Sequence, residues 1–336
     1  MKKSSYYIVF FMLLSIFACK QNTYNENDGE YKNVLSENQI FMNNINYLRF
    51  DYSENEKKFY YKRNDVEFSF LISDIKFEKD SVLKIPYLVK NINCSEGYKG
   101  EVYKQLSILK SGGILLSFDD YYSAWIDALN YFDKYNLKAT WFCKGGAVND
   151  FMTIAQSKGH AIGYHGKNHT MLLYLDYYAN GNYDQEIYDK FSWETYHFLR
   201  TFLDSGINMY TFAIPHGNNL FTDEQLKVLM SKYQIVRNFD TKFHFYTAEE
   251  IKSGFISSQS IDNCHWLEET DFENMVFENL IIANLTDKVW SCTSHTFVDQ
   301  VSDNDYAITW SRLDWLLKMI RKINVVDYTY NDFCKE

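Results

Sequence analysis

The sequence predicts an α/β fold in which parallel strands alternate with helices over residues 105–336, preceded by a small β-rich extension. Three observations lead there. From about residue 100, short apolar runs alternate with segments of helical spacing, a pattern that implies βαβ units. Polar, chargeable side chains recur just after the predicted strands, the end where a β/α barrel keeps its chemistry. The chain has 336 residues, 46% of them hydrophobic, enough for one large domain with a sizeable core and a smaller attachment.

The elements follow in order. Residues 44–92 hold short stretches of partial alternation, among them Tyr47 to Phe50, Val66 to Leu71 and Leu83 to Val89, read as strands of the extension (residues 41–104). Gly113 to Phe118 is an apolar run suited to a buried strand. Trp125 to Tyr135 has helical spacing, with Ile126, Leu129 and Phe132 on one side. Strands are predicted at Ala139 to Phe142 and Ala161 to Tyr164, with a helix at Asp150 to Ser157 between them. A long helix fits Asp184 to Leu203, and further strands fit Tyr210 to Ala213, Tyr233 to Arg237 and Val289 to Ser294. Aromatic residues make up 18% of the chain. They suit both a core and a sugar-binding groove, with core filling the default.

The N-terminus reads as a targeting segment. Lys2 and Lys3 precede an apolar run from Tyr6 to Phe17 that is short for a membrane span. Ala18 then stands directly before Cys19, as at a lipoprotein cleavage site, so residues 1–18 are read as a signal peptide and Cys19 as an acylated first residue. An ordinary signal peptide with a coincidental cysteine also fits. Residues 19–40 are polar and without period, a tether to a membrane. The net charge of −10 grows more negative once Lys2 and Lys3 are removed. That argues against nucleic acid as a partner and against electrostatic attachment to anionic lipid; no protein partner is predicted. Cys94, Cys143, Cys264, Cys292 and Cys334 show no metal-finger spacing, and several are expected to be small buried side chains.

Three constellations carry chemistry. Ser117-Phe118-Asp119-Asp120 ends a predicted strand. Two adjacent acids there point in different directions, so one can hold a metal while the other acts as a base; acids at such turns also serve as helix caps. His165 and His169 stand at i and i+4, and reach one ion if their segment makes a helical turn. Two histidines and a carboxylate form a facial set with open positions. Ser294-His295 closes a late strand. His160 and His197 read as structural or surface residues, whereas His244 and His265 lie in an aromatic stretch that would suit a sugar groove.

Together and in this order, these segments closely resemble the polysaccharide deacetylase family, the NodB-homology carbohydrate esterases. Ser117 to Asp120 is similar to that family's Thr-Phe-Asp-Asp. Lys138 to Phe142 resembles its Ala-Thr-Phe-Phe strand, and Gly159 to His165 its Gly-His-Glu-Ile-Gly-Ser-His. Phe212 to Gly217 resembles Phe-Arg-x-Pro-x-Gly with Ala213 in place of the arginine, Ser294-His295 resembles the closing Leu-His, and Val325 to Thr329 looks like the final strand. The resemblance implies a distorted (β/α) barrel of seven strands. It implies a divalent transition metal, Zn²⁺ by preference, on Asp120, His165 and His169. It implies Asp119 as general base, His295 as general acid, and the N–H of His216, after Pro215, as an oxyanion donor. Asp240 is the nearest candidate for a further motif. Arg237, at the end of the strand expected beside Ala213, is the candidate for the displaced cation. The implied reaction is hydrolysis of N-acetyl groups on an acetylated glycan containing N-acetylhexosamine. Two other readings are an O-acetyl esterase with the same machinery and a carbohydrate-binding lipoprotein that keeps the metal without turnover.

Overall fold

The computed structural model describes residues 50–63, 66–78, 82–89, 98–105, 112–286, 288–302 and 306–335. Cys19, the targeting segment and the tether lie outside the described residues. The chain divides into two compact units, residues 1–110 and 111–336. In the first, β1 (Asp51–Ser53), β2 (Lys58–Arg63) and β3 (Val66–Leu71) form one antiparallel sheet. β4 (Lys76–Glu78), β5 (Val82–Val89) and β6 (Tyr98–Gln105) form another. Phe50, Phe59 and Phe70 bury their rings together in the first sheet, Phe59 stacked on Phe70 at 5.3 Å.

The second unit is a closed barrel. Its elements run β7 (Gly113–Asp120), α1 (Trp125–Tyr135), β8 (Thr140–Cys143), α2 (Asp150–Ser157), β9 (Ala161–Tyr164), α3 (Gln185–Thr195), α4 (Leu199–Asp204), β10 (Thr211–Ala213) and α5 (Asp223–Lys232). They continue through β11 (Ile235–Asp240), β12 (Phe245–Tyr246), α6 (Ala248–Lys252), β13 (Phe255–Ser260), α7 (Glu269–Thr286), β14 (Val289–Ser294), β15 (Thr296–Val298), β16 (Ala307–Thr309), α8 (Trp310–Ile323) and β17 (Val326–Tyr328). Seven parallel strands, β7-β8-β9-β10-β11-β13-β14, close when β14 pairs with β7. This is the (β/α) barrel the sequence predicts. The barrel is distorted at β7, which takes β17 along Gly113 to Leu115 and β8 along Ser117 to Asp120.

Local chemistry explains the elements. Every residue of β7 is buried, as suits a parallel strand covered on both faces. α1 buries Trp125, Ala128, Leu129 and Phe132 and ends at Asn136 in a left-handed conformation (φ 50°), a usual helix stop. Ile126, expected on its core face, is exposed, and Ala128 is buried instead. Asn149 caps α2 by accepting the Met152 N–H at 3.0 Å. Trp141 packs between β8 and the helices, stacked on Phe118 at 4.6 Å and against Trp125, Phe132 and Phe151. Much of the aromatic content is therefore core.

One predicted element is corrected. The segment expected as a single helix breaks into α3 and α4 at Tyr196 (φ −142°). Thr195 Oγ1 donates back to the Phe191 carbonyl at 2.8 Å, and the Thr195 carbonyl accepts the Tyr233 hydroxyl rather than continuing the helical ladder. Back-bonding of this kind bends helices. Among the described residues no helix is long and apolar enough to cross a membrane.

Candidate active site and metal centre

The groups of interest converge at the C-terminal ends of the barrel strands, the face on which such folds assemble catalytic side chains. Asp119 and Asp120 end β7, His165 follows β9, Pro215 and His216 follow β10, and His295 follows β14. Asp120 stands at φ 88° and Tyr121 at φ 90°, a conformation that costs non-glycine residues free energy and that functional sites tend to retain.

Asp120, His165 and His169 come together, with one ligand atom from each lying within 4.8 Å of the others. Asp120 Oδ1 is 3.8 Å from His165 Nε2 and 3.4 Å from His169 Nε2, distances that one ion with bonds of ~2.0–2.1 Å spans. His165 donates Nδ1–H to the Ala213 carbonyl at 2.8 Å. That bond fixes the tautomer and leaves Nε2 as a free lone pair. Tyr122 donates its hydroxyl to Asp120 Oδ2 at 2.9 Å, and the Lys144 ammonium lies 3.3 Å from Oδ1. Burial lowers the pKa of His165. It also brings His169 down to about 4, with help from the charge of His165. Burial would raise the pKa of Asp120, but the surrounding histidines and Lys144 outweigh it and hold the carboxyl at about 2. Two neutral imidazoles and a carboxylate are the protonation states a divalent transition metal requires, so the residues present fit such an ion.

The His165–His169 segment is not the helical turn that the i, i+4 spacing suggested. It is an irregular loop, with Gly166 at φ 80° and His169 at φ 60°.

Asp119 is fully buried. Its Oδ1 accepts a hydrogen bond from Arg237 Nη2, while its Oδ2 has no hydrogen-bond partner among the described residues. Burial pushes its pKa up, but Arg237, His165 and His295 outweigh that and leave it lowered. Arg237 is also fully buried and lies over the Phe142 ring at 4.9 Å. In the sheet register Ala213 pairs directly with Arg237. The guanidinium absent at position 213 is thus present one strand over, at the same level of the barrel.

His295 donates Nδ1–H to Asp262 Oδ2 at 3.0 Å. Asp262 follows β13 and is fully buried. It is held by the Ser294 hydroxyl at 2.6 Å and the Ser260 hydroxyl at 2.9 Å. Burial disfavours the imidazolium, but Asp262, Asp119 and Asp120 favour it more and raise the pKa to about 9. Sequence reasoning missed Asp262. Asp240, the candidate for a further motif, accepts the Lys242 N–H and bonds His244 Nε2, each at 2.7 Å; the carboxylate that meets His295 is Asp262. His216 donates Nε2–H to the His169 carbonyl at 3.1 Å, its ring 4.4 Å from that of His169. His160 accepts the Ala139 N–H at 3.1 Å, and burial lowers its pKa to about 3, which fits a structural role.

In this arrangement a proton-accepting carboxylate and a proton-donating imidazolium stand beside one candidate metal centre. Environment holds their pKa values on opposite sides of neutrality, the condition for paired base and acid catalysis.

The sequence profile of the family described as polysaccharide deacetylase matches residues 109–235. Among solved structures, the family 4 carbohydrate esterase from Streptomyces lividans is 13% identical, with a TM-score of 0.40 over 65% of this chain and 92% of that one. The peptidoglycan deacetylase PdaC from Bacillus subtilis is 14% identical, with a TM-score of 0.40 over 66% and 90%. A polysaccharide deacetylase from Bacillus cereus is 17% identical, with a TM-score of 0.39 over 65% and 92%. No curated protein matches. The profile match spans the Asp119-Asp120 pair, both candidate metal histidines and Pro215-His216, and over those residues the barrel of this chain is similar to the polysaccharide deacetylase family.

Proposed function

We propose that this chain is a metal-dependent deacetylase that hydrolyses N-acetyl groups on a cell-envelope or extracellular polysaccharide containing N-acetylhexosamine. One observation carries the reading. Asp119 presents an unpartnered, ionised Oδ2 beside the Asp120, His165 and His169 set, with a protonated His295 in the same site. Amide hydrolysis needs an activated water, a polarised carbonyl and a protonated leaving nitrogen. A divalent ion, zinc by preference, held by Asp120, His165 and His169 supplies the first two as a Lewis acid. Asp119 Oδ2 takes the proton of the attacking water, and Arg237 keeps that carboxyl ionised and aimed. His295 Nε2 gives its proton to the departing amine, while Asp262 holds the ring through Nδ1. The backbone N–H of His216 is the proposed donor to the developing oxyanion.

The alternative of a binding protein without turnover drew its support from the absent motif arginine. Arg237 on Asp119 removes that ground. The test is acetate release from a panel of N- and O-acetylated glycans by zinc-loaded protein lacking residues 1–19. Release from N-acetylated polymers, abolished by a chelator, is expected. Release from O-acetylated glycans alone would make it an esterase, and release from none would favour the binding protein. Export and anchoring through Cys19 belong to the same proposal and rest on the N-terminal pattern.

A further inference from the structure

We infer that Glu194, on α3, is the positioning residue that shapes the loop carrying His169 to the metal centre. The inference rests on reading Asp120, His165 and His169 as metal ligands. Glu194 is 2% exposed. Among the described residues it has no ion-pair partner. Its carboxylate instead gathers the loop between the two histidines. Oε1 accepts the N–H of Asn168 at 3.0 Å and that of Thr170 at 2.8 Å. Oε2 accepts the Asn168 N–H at 3.1 Å and the Asn168 side-chain amide at 3.2 Å. The Glu194 carbonyl accepts the Lys167 N–H at 2.8 Å. One residue therefore fixes three backbone donors of residues 167–170, the segment that holds His169.

The chemistry explains why a carboxylate stands here. Every group it meets is a donor, and only an acid offers two oxygens with no hydrogen of its own. Converging N–H groups make a concave anion site of the kind backbone nests form. The loop needs such a tie because it has no helical ladder of its own and carries two left-handed residues, Gly166 and His169. Gly166 leaves the room: a Cβ there would lie 2.8 Å from Glu194 Oε1. The isosteric amide would turn a donor toward donors and release the loop, and His169 would lose its place against Asp120 and His165.

The test is the zinc affinity of Glu194→Gln, measured by competition with a chromogenic chelator, beside the thermal stability of both proteins without metal. Affinity is expected to fall by ~10–100-fold, the usual effect of removing a group that orients a ligand, and the visible spectrum of the cobalt-substituted protein should change. A carboxylate that serves stability alone would lower the melting temperature and leave affinity and spectrum as in the wild type, which would overturn the inference. If Glu194→Gln does not fold, Asn168→Ala removes only the side-chain amide contact. It should cost about fivefold in affinity, the worth of one hydrogen bond, and unchanged affinity there would also count against Glu194. A wild type that binds no zinc would instead refute the metal reading itself.

Discussion

Asp119 is a fully buried carboxylate, a state that is costly without compensation. Arg237 supplies it, and that pairing has a kinetic consequence. Burial raises the Asp119 pKa and the guanidinium lowers it, so without Arg237 the carboxyl takes up a proton at higher pH. Arg237→Ala is expected to cut turnover at least tenfold, about 1.4 kcal/mol of barrier, and to move the acid limb of the pH–rate profile upward, with zinc content unchanged. Steady-state rates across pH check this, and a wild-type profile would make Arg237 irrelevant to catalysis. The sequence displayed these residues because their types and places are informative together. Two acids at a strand end and two histidines four apart signal a site, and a lone arginine near a vacant motif position is a testable substitute. The pairing of Ala213 with Arg237 depends on strand register, which one sequence does not display.

At the scale of elements, β13 shows where sequence reading failed. Its residues Ser257, Ser258, Gln259 and Ser260 are polar, yet the last three are buried. Ser258 meets Ser291 at 2.6 Å, and Gln259 accepts the Trp290 indole N–H at 2.9 Å. A buried strand built of polar residues lacks the apolar run by which strands are recognised, so the acid that follows it, Asp262, went unmarked. The same blindness affected the His165–His169 loop, whose shape is set by Glu194 from a helix distant in sequence. Asp262 makes a prediction. Its charge opposes burial and keeps His295 protonated up to about 9. Activity that requires the imidazolium falls as pH rises through that value, and a bound dication, by repulsion, would bring the limb lower. Asp262→Asn removes the charge, so the alkaline limb should shift down and activity at neutral pH should drop. An unmoved alkaline limb would mean that His295 is not the acid.

The whole molecule joins two units with different legibility. The barrel was readable as alternating elements because each strand from β7 to β10 is a compact apolar run bounded by a turn. Closure was not, since it rests on β14 finding β7 across 175 residues, as in the Ser117 hydroxyl bond to the Cys292 carbonyl. The net charge of −10 suits an enzyme that meets glycans rather than nucleic acid. Anchoring is checked with Cys19→Ala, which should abolish labelling by a fatty-acid probe; persistent labelling would place the anchor elsewhere. In the proposed reaction Asp119 is a base separate from the metal ligands, working on a glycan amide. That role is tested most directly by zinc content and acetate release in Asp119→Asn. Wild-type zinc content is expected, with turnover lower by on the order of 10²-fold or more, the usual worth of general-base catalysis. Loss of zinc in that variant, or full turnover with zinc retained, would contradict it.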